Sequence, residues 1–233
     1  MDYNQNVSPI EFGQTSVQVR NKVLRNTYML LALSMIPTVI GAWLGVATGL
    51  SATMLASPGI TLAVFLIGSF AFIYGIERNK ESGLGVGLLL GFTFFMGIML
   101  SRLIGMVLGM TGGATLIAIA FGGTSAIFFS MAALGTVIKR DLSGLGKFLM
   151  IGAWVVFFAA ILNIFLQMPV FFVVICVMVI AIFSLYMMYD VNKVVTGGET
   201  NYISATLQLY LDIYNVFQAL LALLSIFGGG NRN

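Results

Sequence analysis

PVFFVVICVMVIAIFSLYMMY, residues 169–189, carries no charged side chain, and the residue that follows it is Asp190. A helix crosses the hydrocarbon core of a bilayer in about 20 predominantly apolar residues, so this stretch reads as a membrane span that ends on a carboxylate. The next apolar stretch, YISATLQLYLDIYNVFQALLALLSIF at 202–227, holds Asp212 in its interior. A carboxylate in lipid costs roughly 2.5–3.5 kcal/mol on insertion scales and is rarely idle. These two spans decide both the class of the fold and where chemistry is to be sought.

The rest of the chain agrees with them. Hydrophobic residues make up 59% of the 233 residues, charged residues 8%, and the mean hydropathy is +1.03. Soluble domains average about 25% charged residues, so this chain has too few to cover a surface facing water. Alternating strands of the outer-membrane barrel type are absent from the pattern. Seven apolar segments are expected, at about 27–50, 58–76, 82–101, 114–138, 146–166, 169–189 and 202–227. Ser57-Pro58 supplies an N-cap and first helical residue, and Thr111-Gly112-Gly113 and Thr196-Gly197-Gly198 are breaks between helices. The fold class is therefore all-α integral membrane, seven transmembrane helices in one domain from 26 to 233. Residues 1–25, with Asp2, Glu11, Arg20, Lys22 and Arg25, read as a mobile polar cytoplasmic tail rather than a signal peptide, because no short apolar run follows a basic start.

Lysine and arginine set the orientation. With the N-terminus in the cytoplasm, Arg20, Lys22, Arg25, Arg78, Lys80, Lys139, Arg140, Lys147 and Lys193 fall on that side, against Arg102 and Arg232 on the other. Seven spans then put the C-terminus outside. The net charge of +3 is dispersed and gives no basis for a nucleic-acid partner; the partner implied is the lipid bilayer. The chain has no histidine, which excludes histidine zinc sites, Ser-His triads and histidine pH sensing. Cys176, the single cysteine, sits mid-span and reads as a small buried apolar side chain. Small residues at helical spacing, Gly83, Gly87 and Gly91, then Gly97, Ser101, Gly105, Gly109 and Gly113, suit close helix packing within one monomer.

At 100° per residue, Ser204, Gln208, Asp212, Asn215, Gln218 and Ala222 share one face of the last span, opposite Leu, Ile, Val and Phe. Such a stripe should face protein or water. Hydrogen bonding between helices suffices for Gln208, Asn215 and Gln218, but an ionised Asp212 needs a cation or a proton. Asp190, taken alone, is an interfacial carboxylate near Lys193. If it meets Asp212 across the short loop, the two cannot both ionise cheaply and would share a proton. For that, Asp190 must lie deeper than the edge of its segment suggests. Arg78, ending the second span, is either the charge that offsets the pair or one more basic anchor. Glu77 and Arg102 read as boundary charges.

Tyr189-Asp190, Leu209-Tyr210-Leu211-Asp212 and the loop Arg140-Asp141-Leu142-Ser143 resemble the Bax inhibitor-1 (transmembrane Bax inhibitor motif) family. Lys22-Val23-Leu24-Arg25-Asn26-Thr27-Tyr28, Asn163-Ile164-Phe165-Leu166-Gln167 and Gly197-Gly198-Glu199-Thr200-Asn201-Tyr202-Ile203 resemble its bacterial inner-membrane branch, known for modulating the FtsH protease. The resemblance spans nearly all of the chain beyond the tail. It implies a seventh span that is central and wrapped by the other six. It also implies a pH-sensitive leak for calcium or another cation, gated where Asp190 and Asp212 meet Arg78, with Gln208 and Asn215 on the supporting face. No cofactor beyond a calcium ion at the two aspartates is implied. FtsH is the second implied partner, with residues 1–25 as its handle. An enzyme, an intramembrane aspartyl protease, is disfavoured, because Leu209-Tyr210-Leu211 stands where such proteases carry Gly-x-Gly.

Overall fold

The structure, a computed structural model, describes residues 9–140 and 142–228, and for 9–17 and 143 the backbone alone. Eight helices follow one another: α1 (Pro9–Ala47), α2 (Leu50–Ala56), α3 (Pro58–Arg78), α4 (Gly83–Leu108), α5 (Gly113–Val137), α6 (Ser143–Leu166), α7 (Pro169–Thr196) and α8 (Tyr202–Gly228). Seven of them, all but α2, are long and apolar enough to cross a membrane. No strand occurs among the described residues. The protein is an all-helical integral membrane protein, as its composition requires.

Two boundaries differ from the hydropathy pattern in ways that matter. The expected tail at 1–25 is helical from Pro9 onward and continuous with α1; residues 1–8 lie outside the described ones. A helix already nucleated by an apolar span extends one hydrogen bond at a time, so polar residues beyond the bilayer simply continue it. This extension is docked. Val23 is buried against Val194 and Ala205, and Arg20 donates from Nη1 to the Val195 carbonyl at 3.3 Å. The second difference is α7, which runs on to Thr196 rather than stopping near 189. Hydropathy loses the helix at Asp190-Val191-Asn192-Lys193, but the backbone does not.

Glycine spacing marks where α1 and α4 touch. A Cβ on Gly97 would strike the Thr38 backbone, and one on Gly41 the Phe94 carbonyl. The helices can lie this close only because neither glycine carries a side chain. The earlier run does not act this way: Gly83 and Gly87 face open space, and Gly91 meets only the Phe72 ring.

The main core gathers residues of α1, α3, α4 and α8, including Leu30, Ile76, Phe92, Met96, Leu207 and Tyr210, with Ala132 of α5 and Val191 of α7. Tyr210 ties three helices, sharing a hydrogen bond with the Thr38 hydroxyl of α1 at 2.9 Å and donating to the Thr93 carbonyl of α4 at 3.4 Å. A satellite core lies between α6 and α7 around Leu149, Val156, Ile175 and Ile182. Among the seven spans α8 is the most enclosed by the rest of the protein. It packs against α1, α3, α4, α5 and α7, whereas α6 packs on α7 alone. Enclosure of the last helix by all six others is therefore not what the structure has. The α7–α6 satellite core holds α6 at the outside of the bundle.

Candidate functional site: a buried carboxyl pair

The α7–α8 connection fixes the site. Gly197 closes α7 in the left-handed conformation, φ 84°, which glycine adopts without a Cβ penalty. Gly198 and Glu199 then donate their N–H groups to the Lys193 carbonyl at 2.8 and 3.1 Å. The Glu199 carboxylate accepts from the Thr200 and Asn201 N–H groups at 3.0 and 2.9 Å. Asn201 caps α8, its Oδ1 accepting from Ile203 and Ser204 at 2.8 and 3.1 Å. Every residue of Gly197-Gly198-Glu199-Thr200-Asn201 therefore serves one compact turn that sets α7 and α8 side by side.

With α7 ending at Thr196, Asp190 lies about 9 Å inside its helix end and Asp212 about 15 Å inside α8, at 1.5 Å per residue. That narrows the depth mismatch left by the apolar boundaries to about 6 Å, roughly one turn. The two carboxyl groups face one another within hydrogen-bonding reach. Both are out of solvent, Asp190 6% and Asp212 4% exposed, and no other acidic side chain among the described residues is buried. Two facing carboxyl groups can form a hydrogen bond only when one carries the proton. Apart from the facing carboxyl group, Asp212 Oδ2 has no hydrogen-bond partner among the described residues. A buried acceptor left unpaired costs roughly 1–3 kcal/mol, more when charged, so this oxygen is where a proton, a water or a cation gains most by binding.

As a metal site the pair is sparse. No group of three or more His, Cys, Asp or Glu side chains that could hold a metal ion occurs among the described residues. Calcium takes 6–8 oxygen ligands, and two carboxylates offer at most four. The donor set suits brief contact with a passing ion better than a resident one.

The structure sorts the other candidates. Arg78 is not at the pair. It ends α3 exposed, its Nη1 donating to Tyr74 one turn back at 3.3 Å. Its neighbour Glu77 is the residue of that last turn facing α8, where its Oε2 accepts from Ser204 at 3.2 Å and pairs with Lys80 at 3.0 Å. At 100° per residue one position cannot follow the other inward, and α3 makes no contact with α7. Gln208 lies one turn from Asp212 and bridges Lys193 and Glu199. Asn215 spends its amide on its own helix, donating to the Leu211 carbonyl at 2.8 Å, and does not reach the carboxyls. The face opposite the polar stripe is not given over to lipid either, since Leu209, Val216 and Leu221 are fully buried.

Three residues were missed by the sequence reading as parts of the site. Lys193 and Glu199 are the charged groups whose fields act on Asp190. The Tyr186 hydroxyl, one turn below Asp190, feels both aspartates. The spacings Asp190–Lys193 and Tyr186–Asp190, three and four along one helix, are a signal that could have found two of them.

Comparison with known proteins agrees with this architecture. The family model described as inhibitor of apoptosis-promoting Bax1 matches residues 20–232. The modulator of FtsH protease YccA of Escherichia coli K12 is 36% identical over 220 residues, covering 94% of this chain and 95% of its own. An uncharacterized protein of Neisseria meningitidis serogroup A is 36% identical over 211 residues, 90% of this chain and 93% of its own. A membrane protein of Vibrio cholerae is 34% identical over 211 residues, 91% and 92% of the two chains. With seven membrane-length helices, a family match over nearly its whole length and relatives aligned to the same extent, the chain belongs to the Bax inhibitor family of membrane proteins.

Proposed function

We propose that this protein is a pH-sensitive leak for calcium or a related cation, gated by the Asp190–Asp212 pair. The observation that carries the reading is a pair of facing, buried carboxyl groups, with one Asp212 oxygen that no other described group satisfies, inside spans of a membrane protein. While the pair shares a proton, its hydrogen bond ties α7 to α8. Loss of that proton leaves two negative charges in a poorly solvated site. They repel, and they attract a cation. The protein lies in a bacterial inner membrane with its N-terminus cytoplasmic and its C-terminus outside, in line with nine of the 11 basic residues grouped on one side. Arg78 enters this scheme only through another state, reached by turning α3, and Arg78→Ala tests that part.

The experiment is calcium flux into proteoliposomes of purified protein as pH is varied. Asp212→Asn removes one titrating group while keeping shape, and should flatten the dependence of flux on pH. An unchanged flux–pH curve in that variant refutes the gate.

A second reading has its own support. YccA is named a modulator of FtsH protease, and the likeness covers 94% of this chain. In this reading the protein engages FtsH through the helical extension that begins at Pro9. Co-purification with the protease, lost on removing residues 1–25 from an otherwise folded chain, is the test; retained binding rejects the handle. No enzymatic step is assigned to the pair. Cleavage of a transmembrane substrate, abolished by Asp212→Ala, would be needed to assign one.

A further inference from the structure

We propose that Lys193 is a tethered plug over the carboxyl pair, closing the route to Asp190 and Asp212 from the end of the bundle that carries the α7–α8 turn. The proposal rests on the pair being the gate, and adds to it a residue that decides access.

Three side chains build the plug. Lys193 stands one turn above Asp190 on α7, and Gln208 stands one turn above Asp212 on α8. The two rungs are parallel: carboxyl to carboxyl below, ammonium to amide above. Lys193 Nζ is 3.5 Å from Gln208 Oε1 and 3.9 Å from Glu199 Oε2, and Gln208 Nε2 is 3.5 Å from the same Glu199 oxygen. Glu199 cannot wander, because its other oxygen is held by the Thr200 and Asn201 N–H groups. Above the ring, Glu77 at the α3 end accepts from Ser204 and pairs with Lys80, and Arg20 of α1 donates to the Val195 carbonyl in the last turn of α7.

The geometry is tight enough to cover and loose enough to open. The side chains of Lys193 and Glu199 are 31% and 15% exposed, so the ring lies between water and the buried pair. Its contacts are long for hydrogen bonds, and partly exposed ion pairs of this kind are weak. An ammonium on a flexible four-carbon stem, held only by these weak contacts, can swing aside. At rest it stands in the place an incoming cation would take, supplying a positive charge to Asp190 and repelling others. A cation reaches the pair from this end only when Lys193 moves aside.

Aqueous access to the pair tests this directly. The full chain in detergent micelles would be treated with a water-soluble carbodiimide and glycinamide, and labelling of Asp190 and Asp212 followed by peptide mass spectrometry. Lys193→Met should label roughly five-fold faster than wild type, the size expected for loss of a weak ion pair. Lys193→Arg should stay near wild type, and Glu199→Gln, which frees the tether, should rise as well. Dicyclohexylcarbodiimide, which arrives through the apolar phase, should label all four proteins alike. No rise in Lys193→Met, an equal rise in Lys193→Arg, or a parallel rise with the apolar reagent overturns the plug. If Lys193→Met does not fold, an unchanged rate in Glu199→Gln overturns it. Calcium flux through the same proteins separates the two claims: faster labelling without flux in any of them sinks the leak and leaves the plug standing.

Discussion

Gly97→Ala is the sharpest test of how α1 is held to the bundle. A Cβ built at Gly97 falls 2.8 Å from the Thr38 carbonyl carbon and 2.9 Å from its Cα. Carbon atoms rest at about 3.5–4.0 Å, so α1 and α4 must part by about 0.6 Å or more. The obstacle is backbone, which no rotamer change can clear. Crowding of this kind costs about 1–3 kcal/mol. The shift also loosens the Thr38 hydroxyl contacts to Tyr210 and the Thr93 carbonyl, 2.9 and 3.1 Å apart, at about 0.6 kcal/mol each on average in membranes. Exchanging glycine for alanine in a helix returns up to about 1 kcal/mol. The net expectation is a loss of about 1–3 kcal/mol. Gly87→Ala is the control, because a Cβ there meets nothing within 4 Å and only the propensity gain applies. Unfolding in mixed micelles by titration with sodium dodecyl sulfate, followed by circular dichroism, would compare the two. A Gly97→Ala protein as stable as Gly87→Ala would refute the close approach of α1 and α4.

Val23→Ala should lower stability by about 1.5 kcal/mol, two methyl groups at roughly 0.8 kcal/mol each, measurable by the same titration. Removing residues 1–8 should be harmless, whereas removing 1–25 should cost the contacts of Val23 and Arg20 and show as a lower melting temperature; equal melting of the two truncations would count against the docked extension. Glu77, by its hydrogen bond and then its charge, holds the Lys80 ammonium above its usual 10.5. A raised value means the contribution is present below the unfolded value and fades only as pH climbs through the folded one, so neutral pH leaves it intact. Glu77→Gln should therefore speed acylation of Lys80 at mildly alkaline pH; an unchanged rate would show that the pair does not persist. Reporter fusions at the two ends should lie on opposite sides of the membrane, and matching sides would reject the seven-span topology.

Much of this protein follows from its sequence alone. Spans of about 20 apolar residues have few folded solutions in lipid, because every backbone polar group must be satisfied within the span. That requirement is local, so the number of helices and the class of the fold are readable from 169–189 and its six counterparts. The exceptional status of Asp190 and Asp212 is readable for the same reason: an acid inside an apolar run stands out without any knowledge of its neighbours. The meeting of the two acids was decided elsewhere, by the continuation of α7 to Thr196 and by the turn from Gly197 to Asn201. Hydropathy registers the transfer of side chains, not hydrogen bonding of the backbone, and so ends α7 too early and leaves 9–25 as a tail. Which charge attends the pair was also beyond the chain's linear pattern. Arg78 and Lys193 both sit at span ends of the same sign, and only the rotation of α3, which turns Glu77 inward and Arg78 outward, separates them. Helix rotation and neighbour choice are set by packing between helices, a property of pairs of surfaces that a single span does not contain.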